Sequence, residues 1–149
     1  MKRLLFSLSV VLFLSVSAFA DEPQKFSPEK FQAEMEQFIT QEACLTPEEA
    51  AKFFPLLREM HQKQRTIQMQ IKKECKIKPV DEAECKKAVK KRDVYELELK
   101  NIQQTYHNKF FCVLPASKVY DVIKAEDCFH RRAFKNWGQN KEQKHQHKK

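Results

Sequence analysis

Cysteine and histidine are the side chains of this sequence best suited to chemistry. Five cysteines stand at 44, 75, 85, 112 and 128, and five histidines accompany them. Cysteine sulfur serves as a disulfide partner, a nucleophile or a soft metal ligand. Five is odd, so full pairing leaves one thiol over. Cys128-Phe129-His130, with His145 and His147, offers ligand types suited to zinc or copper. Neither CxxC nor HxxxH occurs, and a free thiol beside surface histidines accounts for the same residues. No dedicated metal site is therefore expected, with Cys128 and His130 as the alternative pair. His61 and His107 read as helix-surface residues outside the hairpin register derived below. The carboxylates alternate with lysines at helix spacing, as on a solvated, ion-paired face. No Ser/His/Asp or Cys/His signature stands out.

Phosphate chemistry is excluded on different grounds. Gly138 is the only glycine in 149 residues. The dinucleotide fingerprint, the Walker loop and the nucleophile elbow all need more. Neither enzymatic activity nor a cofactor is expected. Lys, Glu, Gln, Leu and Ala fill much of the chain and favour helix, so these residues must be positioned by long helices.

The first twenty residues read as a secretory leader. Lys2 and Arg3 precede an apolar run from Leu4 to Val16, and Ala18-Phe19-Ala20 supplies a cleavage site before Asp21. The run is shorter than the roughly 20 residues of a spanning helix. The expected product is soluble and periplasmic. The whole chain has 28 basic and 20 acidic residues, a formal net charge of +8. Removing Lys2 and Arg3 leaves a net of +6. Export argues against nucleic acid as the partner, leaving acidic proteins, unfolded chains or the anionic envelope surface.

Four helices are expected in one all-α domain spanning 21–138, followed by a disordered basic tail over 139–149. Ser27-Pro28 opens the first, which carries Phe31, Met35, Phe38 and Ile39 on one face and runs to about Ala43. Thr46-Pro47-Glu48-Glu49 is a capping box opening the second. Ala50, Phe53, Leu57, Met60, Gln64, Ile67 and Ile71 then recur at steps of three and four, to about Lys76. Pro55 should kink this helix. Lys78-Pro79 breaks it, and Asp81-Glu82-Ala83-Glu84 reads as a further capping box. Cys85, Ala88, Arg92, Tyr95, Leu99, Ile102 and Tyr106 carry the third stripe, ending near Phe111. Leu114-Pro115 opens a fourth helix, with Val119, Val122, Ile123, Phe129, Ala133, Phe134 and Trp137, which Gly138 should stop.

Helices two and three, each about 45 Å long, are joined by a short link and should form an antiparallel hairpin. Shorter helices one and four should cover one end. Facing positions in such a hairpin keep nearly constant summed numbers, which favours Cys75 with Cys85 and Cys44 with Cys112. Cys128 then stays free. The alternative joins Cys44 or Cys112 to Cys128.

Lys72, Lys73, Lys76, Lys78, Lys86, Lys87, Lys90, Lys91 and Arg92 crowd the hairpin turn against Glu74, Asp81, Glu82 and Glu84. A solvated helix surface explains any one lysine. Together they make a basic tip that attracts acidic chains over about a Debye length. Phe54, Leu56, Val94, Leu97, Phe110 and Phe111 lie off the heptad lines. Those not covered by the flanking helices would form an apolar patch, most simply a dimer contact.

Leu45-Thr46-Pro47-Glu48-Glu49, opening a long helix in an exported, glycine-poor, four-helix chain, resembles the LTxxQ motif of the Spy/CpxP family of periplasmic proteins. Leu45 and Thr46 match, and Glu49 stands where glutamine is usual. Leu114-Pro115-Ala116-Ser117-Lys118 occupies the place of a second copy, matching at Leu114. The resemblance implies a cradle-shaped homodimer that binds unfolded or misfolded clients without ATP, or that represses an envelope-stress sensor. Some relatives bind metals.

The leading expectation is an ATP-independent periplasmic chaperone. Arg58, Lys63, Arg65, Lys72, Lys86, Lys90, Arg92, Phe53, Phe54 and Ile67 are its candidate client contacts. The alternative is a metal- or stress-sensing regulator acting on a membrane sensor or anti-sigma partner. A purely structural envelope protein is a third reading.

Overall fold

The computed structural model describes residues 27–77 and 79–146, with side chains described up to residue 136. The expected leader lies outside the described residues, as do 147–149. Four helices follow in order: α1 (Pro28–Glu42), α2 (Pro47–Glu74), α3 (Glu82–Phe111) and α4 (Ala116–Gln146). The described residues include no strand. α2 pairs with α3 along the hairpin, α1 packs on α4, and α3 touches α4.

Local chemistry sets the boundaries. Ser27 caps α1, its hydroxyl accepting from the Lys30 amide at 3.2 Å. Thr46 forms the full capping box: its hydroxyl accepts from Glu49 N at 3.2 Å, and Glu49 Oε2 accepts from Thr46 N at 2.9 Å. Asp81 caps α3 by accepting from Glu84 N at 3.3 Å. The Glu84 carboxylate does not complete that box but turns to Lys87, 3.6 Å away. α2 runs through Pro55 without a break. Ala51 and Pro55 are exposed, so water can serve the carbonyl that lacks its proline donor.

Two expectations about α4 need correction. It is 31 residues long and passes through Gly138 to Gln146. It is neither short nor followed by a disordered tail from 139. A glycine stop requires the left-handed conformation, whereas one glycine within a helix costs only about 1 kcal/mol. The Lys, Glu and Gln residues around Gly138 favour helix strongly enough to carry it through.

The core occupies only one end of the hairpin. Met35 and Ile39 of α1 meet Phe53, Phe54, Leu57 and Met60 of α2, Tyr106 and Phe110 of α3, and Val119, Val122 and Ala125 of α4. Leu45 and Leu114, from the two connections, complete it. Each large side chain buried there contributes roughly 1.5–3 kcal/mol. Phe53 and Phe110 stack edge-on with centroids 4.9 Å apart, and Phe129 packs on Phe31 and Phe38 at 5.1 and 5.7 Å. Tyr106 and Phe110 are the buried residues of α3. From Glu82 to Thr105 none is buried. The rest of the hairpin is thus a two-helix arm projecting from a four-helix base.

All five cysteines are free thiols, so the expected Cys75–Cys85 and Cys44–Cys112 bridges are not formed. The register explains this. Glu74 meets Lys91 at 2.7 Å and Glu59 meets Lys109 at 4.0 Å. Cys75 is therefore offset along α3 from Cys85, and the two line one groove as separate thiols. Phe110 faces Phe53, which puts Cys112 beside the first turns of α2 rather than beside Cys44. The thiols of Cys44, Cys85 and Cys112 turn instead to the carbonyls of Gln41, Pro79 and Asn108. In this register His61 and His107 are level with each other, not displaced.

Candidate functional site

The heptad stripes that close the base become a half-buried seam along the arm. Ile71, Cys85, Ala88, Tyr95 and Leu99 are partly covered there. A layer two helices thick cannot cover residues off that seam. Met69, Val89, Val94 and Leu97 remain exposed, Val94 at 61% and Leu97 at 65%. Val94 and Leu97 are three apart and so are neighbours on the helix surface.

The residues expected to contact a client divide into two groups. Phe53, Phe54 and Ile67 are buried, Phe53 with only 1% exposure, so they hold the fold and are not offered to a partner. The basic candidates are accessible. Lys72, Lys86, Lys90 and Arg92 line the arm in exposed positions, and Arg92 lies 3.6 Å from Glu96. Lys63 lies 3.4 Å from Glu59 and 5.4 Å from the centre of the Tyr106 ring. Arg58 is held by Glu36 through two hydrogen bonds of 2.6 Å. Of the residues flagged as off-line in sequence, Phe54 and Phe110 are core, Leu56 packs against it, and Val94, Leu97 and Phe111 stay exposed. Met69 and Val89 were not singled out, although their off-seam positions carry the same signal.

A second feature lies in a cleft of about 430 Å³ between α1, α2 and α4. Glu126 Oε1 lies 2.7 Å from His61 Nε2 and 3.7 Å from His130 Nε2. Burial alone would push the Glu126 carboxyl up. The interactions with His130 and His61 outweigh it and hold the carboxyl at about 2. The adjacent carboxylate raises His130 above its ordinary range. Arg65, Gln64 and Gln68 continue the wall. Sixty-five residues separate His61 from Glu126, so no local spacing announces the contact. His61 is accordingly a junction between helices rather than an ordinary surface residue. Cys128 does not join it. Among the described residues no group of three His, Cys, Asp or Glu is arranged to hold a metal.

The expected motif positions are structural. Leu45 and Leu114 are buried, Thr46 caps α2, and Glu49 accepts from Lys118 Nζ at 2.8 Å. Among the described residues no helix is long and apolar enough to cross a membrane. No family model, curated protein or solved structure matches the chain.

Proposed function

We propose that this chain is an ATP-independent, chaperone-like binding protein of the cell envelope. In this reading its projecting arm captures unfolded or misfolded chains. One observation carries it: Met69, Val94 and Leu97 stay exposed on a helical layer studded with Lys72, Lys86, Lys90 and Arg92. Lysine and arginine draw in an acidic or unfolded chain over about a Debye length. Shallow apolar contacts then hold it weakly, without a closed pocket. The resemblance to Spy/CpxP proteins supports this reading, and a homodimer would widen the surface. Placement in the periplasm rests on the expected leader.

The test is suppression of client aggregation by the purified chain from Asp21 onward, at low and high salt. Suppression that weakens with salt and falls on Val94→Ser with Leu97→Ser supports the proposal. No suppression at several-fold molar excess removes it.

A second reading, a stress-responsive regulator of a membrane sensor, draws on the His61–Glu126–His130 junction, where His61 of α2 meets Glu126 of α4 at 2.7 Å. It requires a defined partner and predicts no general effect on aggregation.

A further inference from the structure

We propose that the tip of the α2–α3 hairpin is a peripheral docking site for an anionic lipid surface. The link from Cys75 to Asp81 carries its two large aliphatic side chains outward. Ile77 is 78% exposed and Val80 is fully exposed. They stand at the end of the hairpin away from the core, and Ile77 also forms one wall of an apolar groove beneath the link. A lipid interface covers exposed apolar side chains of this kind without shape complementarity.

The charge around this tip fits the same occupant. Between residues 72 and 92 the sequence carries nine basic residues and four acidic ones. Three of the four carboxylates are engaged: Glu74 meets Lys91 at 2.7 Å, Glu84 meets Lys87 at 3.6 Å, and Asp81 caps α3. Lys72, Lys73, Lys76, Lys86 and Lys90 are exposed. They lie on two antiparallel helix ends within about three turns of the link, forming a collar behind Ile77 and Val80. Apolar side chains ahead of a lysine collar are arranged to enter the headgroup region while the ammonium groups meet lipid phosphates. Each lysine near an anionic surface raises partitioning roughly fivefold. An apolar groove of about 290 Å³ beneath the link, walled by Ile71, Val89 and Tyr95, gives the tip further surface for acyl chains. Contact of this kind is interfacial and needs no spanning helix.

The experiment is vesicle flotation with the chain from Asp21 onward, which retains every described core residue and lacks the apolar leader. Vesicles of phosphatidylglycerol mixed with phosphatidylcholine are compared with phosphatidylcholine alone, at low and high salt. The expected result is binding to the anionic vesicles only, weakened by salt. Ile77→Ser with Val80→Ser should lower it at least tenfold, and Lys73→Glu with Lys76→Glu should lower it further. These positions are exposed, and an unchanged circular dichroism spectrum verifies the fold. Absence of binding, equal binding to neutral vesicles, or full binding by the Ile77→Ser/Val80→Ser variant overturns the proposal. Binding of soluble polyglutamate without vesicle binding assigns the collar to acidic polypeptides and also overturns it. Client capture by Val94 and Leu97 does not enter this result, so the two proposals fail separately.

Discussion

Lys118 Nζ lies 2.8 Å from Glu49 Oε2 and 2.6 Å from the carbonyl oxygen of Cys44. Each partner stands four residues after its own buried leucine, Glu49 after Leu45 and Lys118 after Leu114. The two expected motif segments are thereby tied to each other across the base. The hydrogen bond from Lys118 is the foremost reason that the Glu49 carboxyl is held below its ordinary range. Lys118→Ala should lower Tm by about 2–4 °C. Glu49→Lys with Lys118→Glu should cost more than Lys118→Ala, because it also removes the acceptor for Thr46 N and the donor to the Cys44 carbonyl. Thermal melts of the two variants check this.

Cys44 has φ 47°, the one positive value at a non-glycine among the described residues. It follows the Ala43 cap of α1. Leu45 N bonds to Thr40 O at 3.1 Å and Cys44 N to Gln41 O at 3.4 Å, the pattern of a Schellman stop. Glycine normally occupies this place because a β-carbon costs roughly 1–2 kcal/mol there. Cys44→Gly should therefore stabilise the protein by about 1 kcal/mol in urea unfolding, whereas Cys44→Val should destabilise it.

Protonation of the Glu126 junction sets two limits on stability. The carboxyl, held at about 2, is charged below its unfolded value of about 4.3. Its contribution is present above that value and is lost as pH falls toward 2. His130 is raised, so its contribution is full below about 6.5 and is lost as pH climbs through its folded value. The junction should be firmest between about pH 4.5 and 6.5. Glu126→Gln should cost roughly 1–3 kcal/mol in that window and flatten both limbs. Burial pushes His107 down, so it too loses stability as pH falls below about 6.5, the same direction as the Glu126 limb and opposite to that of His130. Because the Glu126 charge also acts on His107, the difference between wild type and Glu126→Gln is compared in a His107→Gln background, where the junction alone remains.

Phe53 and Leu97 separate folding from binding. Phe53→Ala empties the middle of the base and should cost about 3–5 kcal/mol. Leu97→Ser and Val94→Ser alter an exposed surface and should shift stability within about 0.5 kcal/mol. If the arm captures clients, the second pair loses aggregation suppression while keeping its Tm.

The helices were largely legible, because caps and heptad steps are local signals. Ser27, Thr46 and Asp81 each cap the helix expected of them. The division into base and arm was not legible. Leu57 and Leu99 belong to equivalent stripes, yet only Leu57 is fully buried. The difference arises from where α1 and α4 pack. The pairing register misled for a related reason: an irregular link does not reveal how many residues it takes up, so Cys75 and Cys85 looked opposed. Gly138 misled because a helix stop depends on its neighbours as much as on glycine. The basic candidates lie exposed, whereas Phe53 and Phe54 are drawn into the core by contacts with Phe110 and with each other.

The central claim, that the arm beyond the base receives unfolded chains, is tested most directly by amide hydrogen exchange with and without a permanently unfolded client. The account predicts added protection confined to residues 63–99, centred on Val94 and Leu97, and absent in the Val94→Ser/Leu97→Ser variant. Protection that falls instead on the outer faces of α1 and α4, with the arm unchanged, would contradict it.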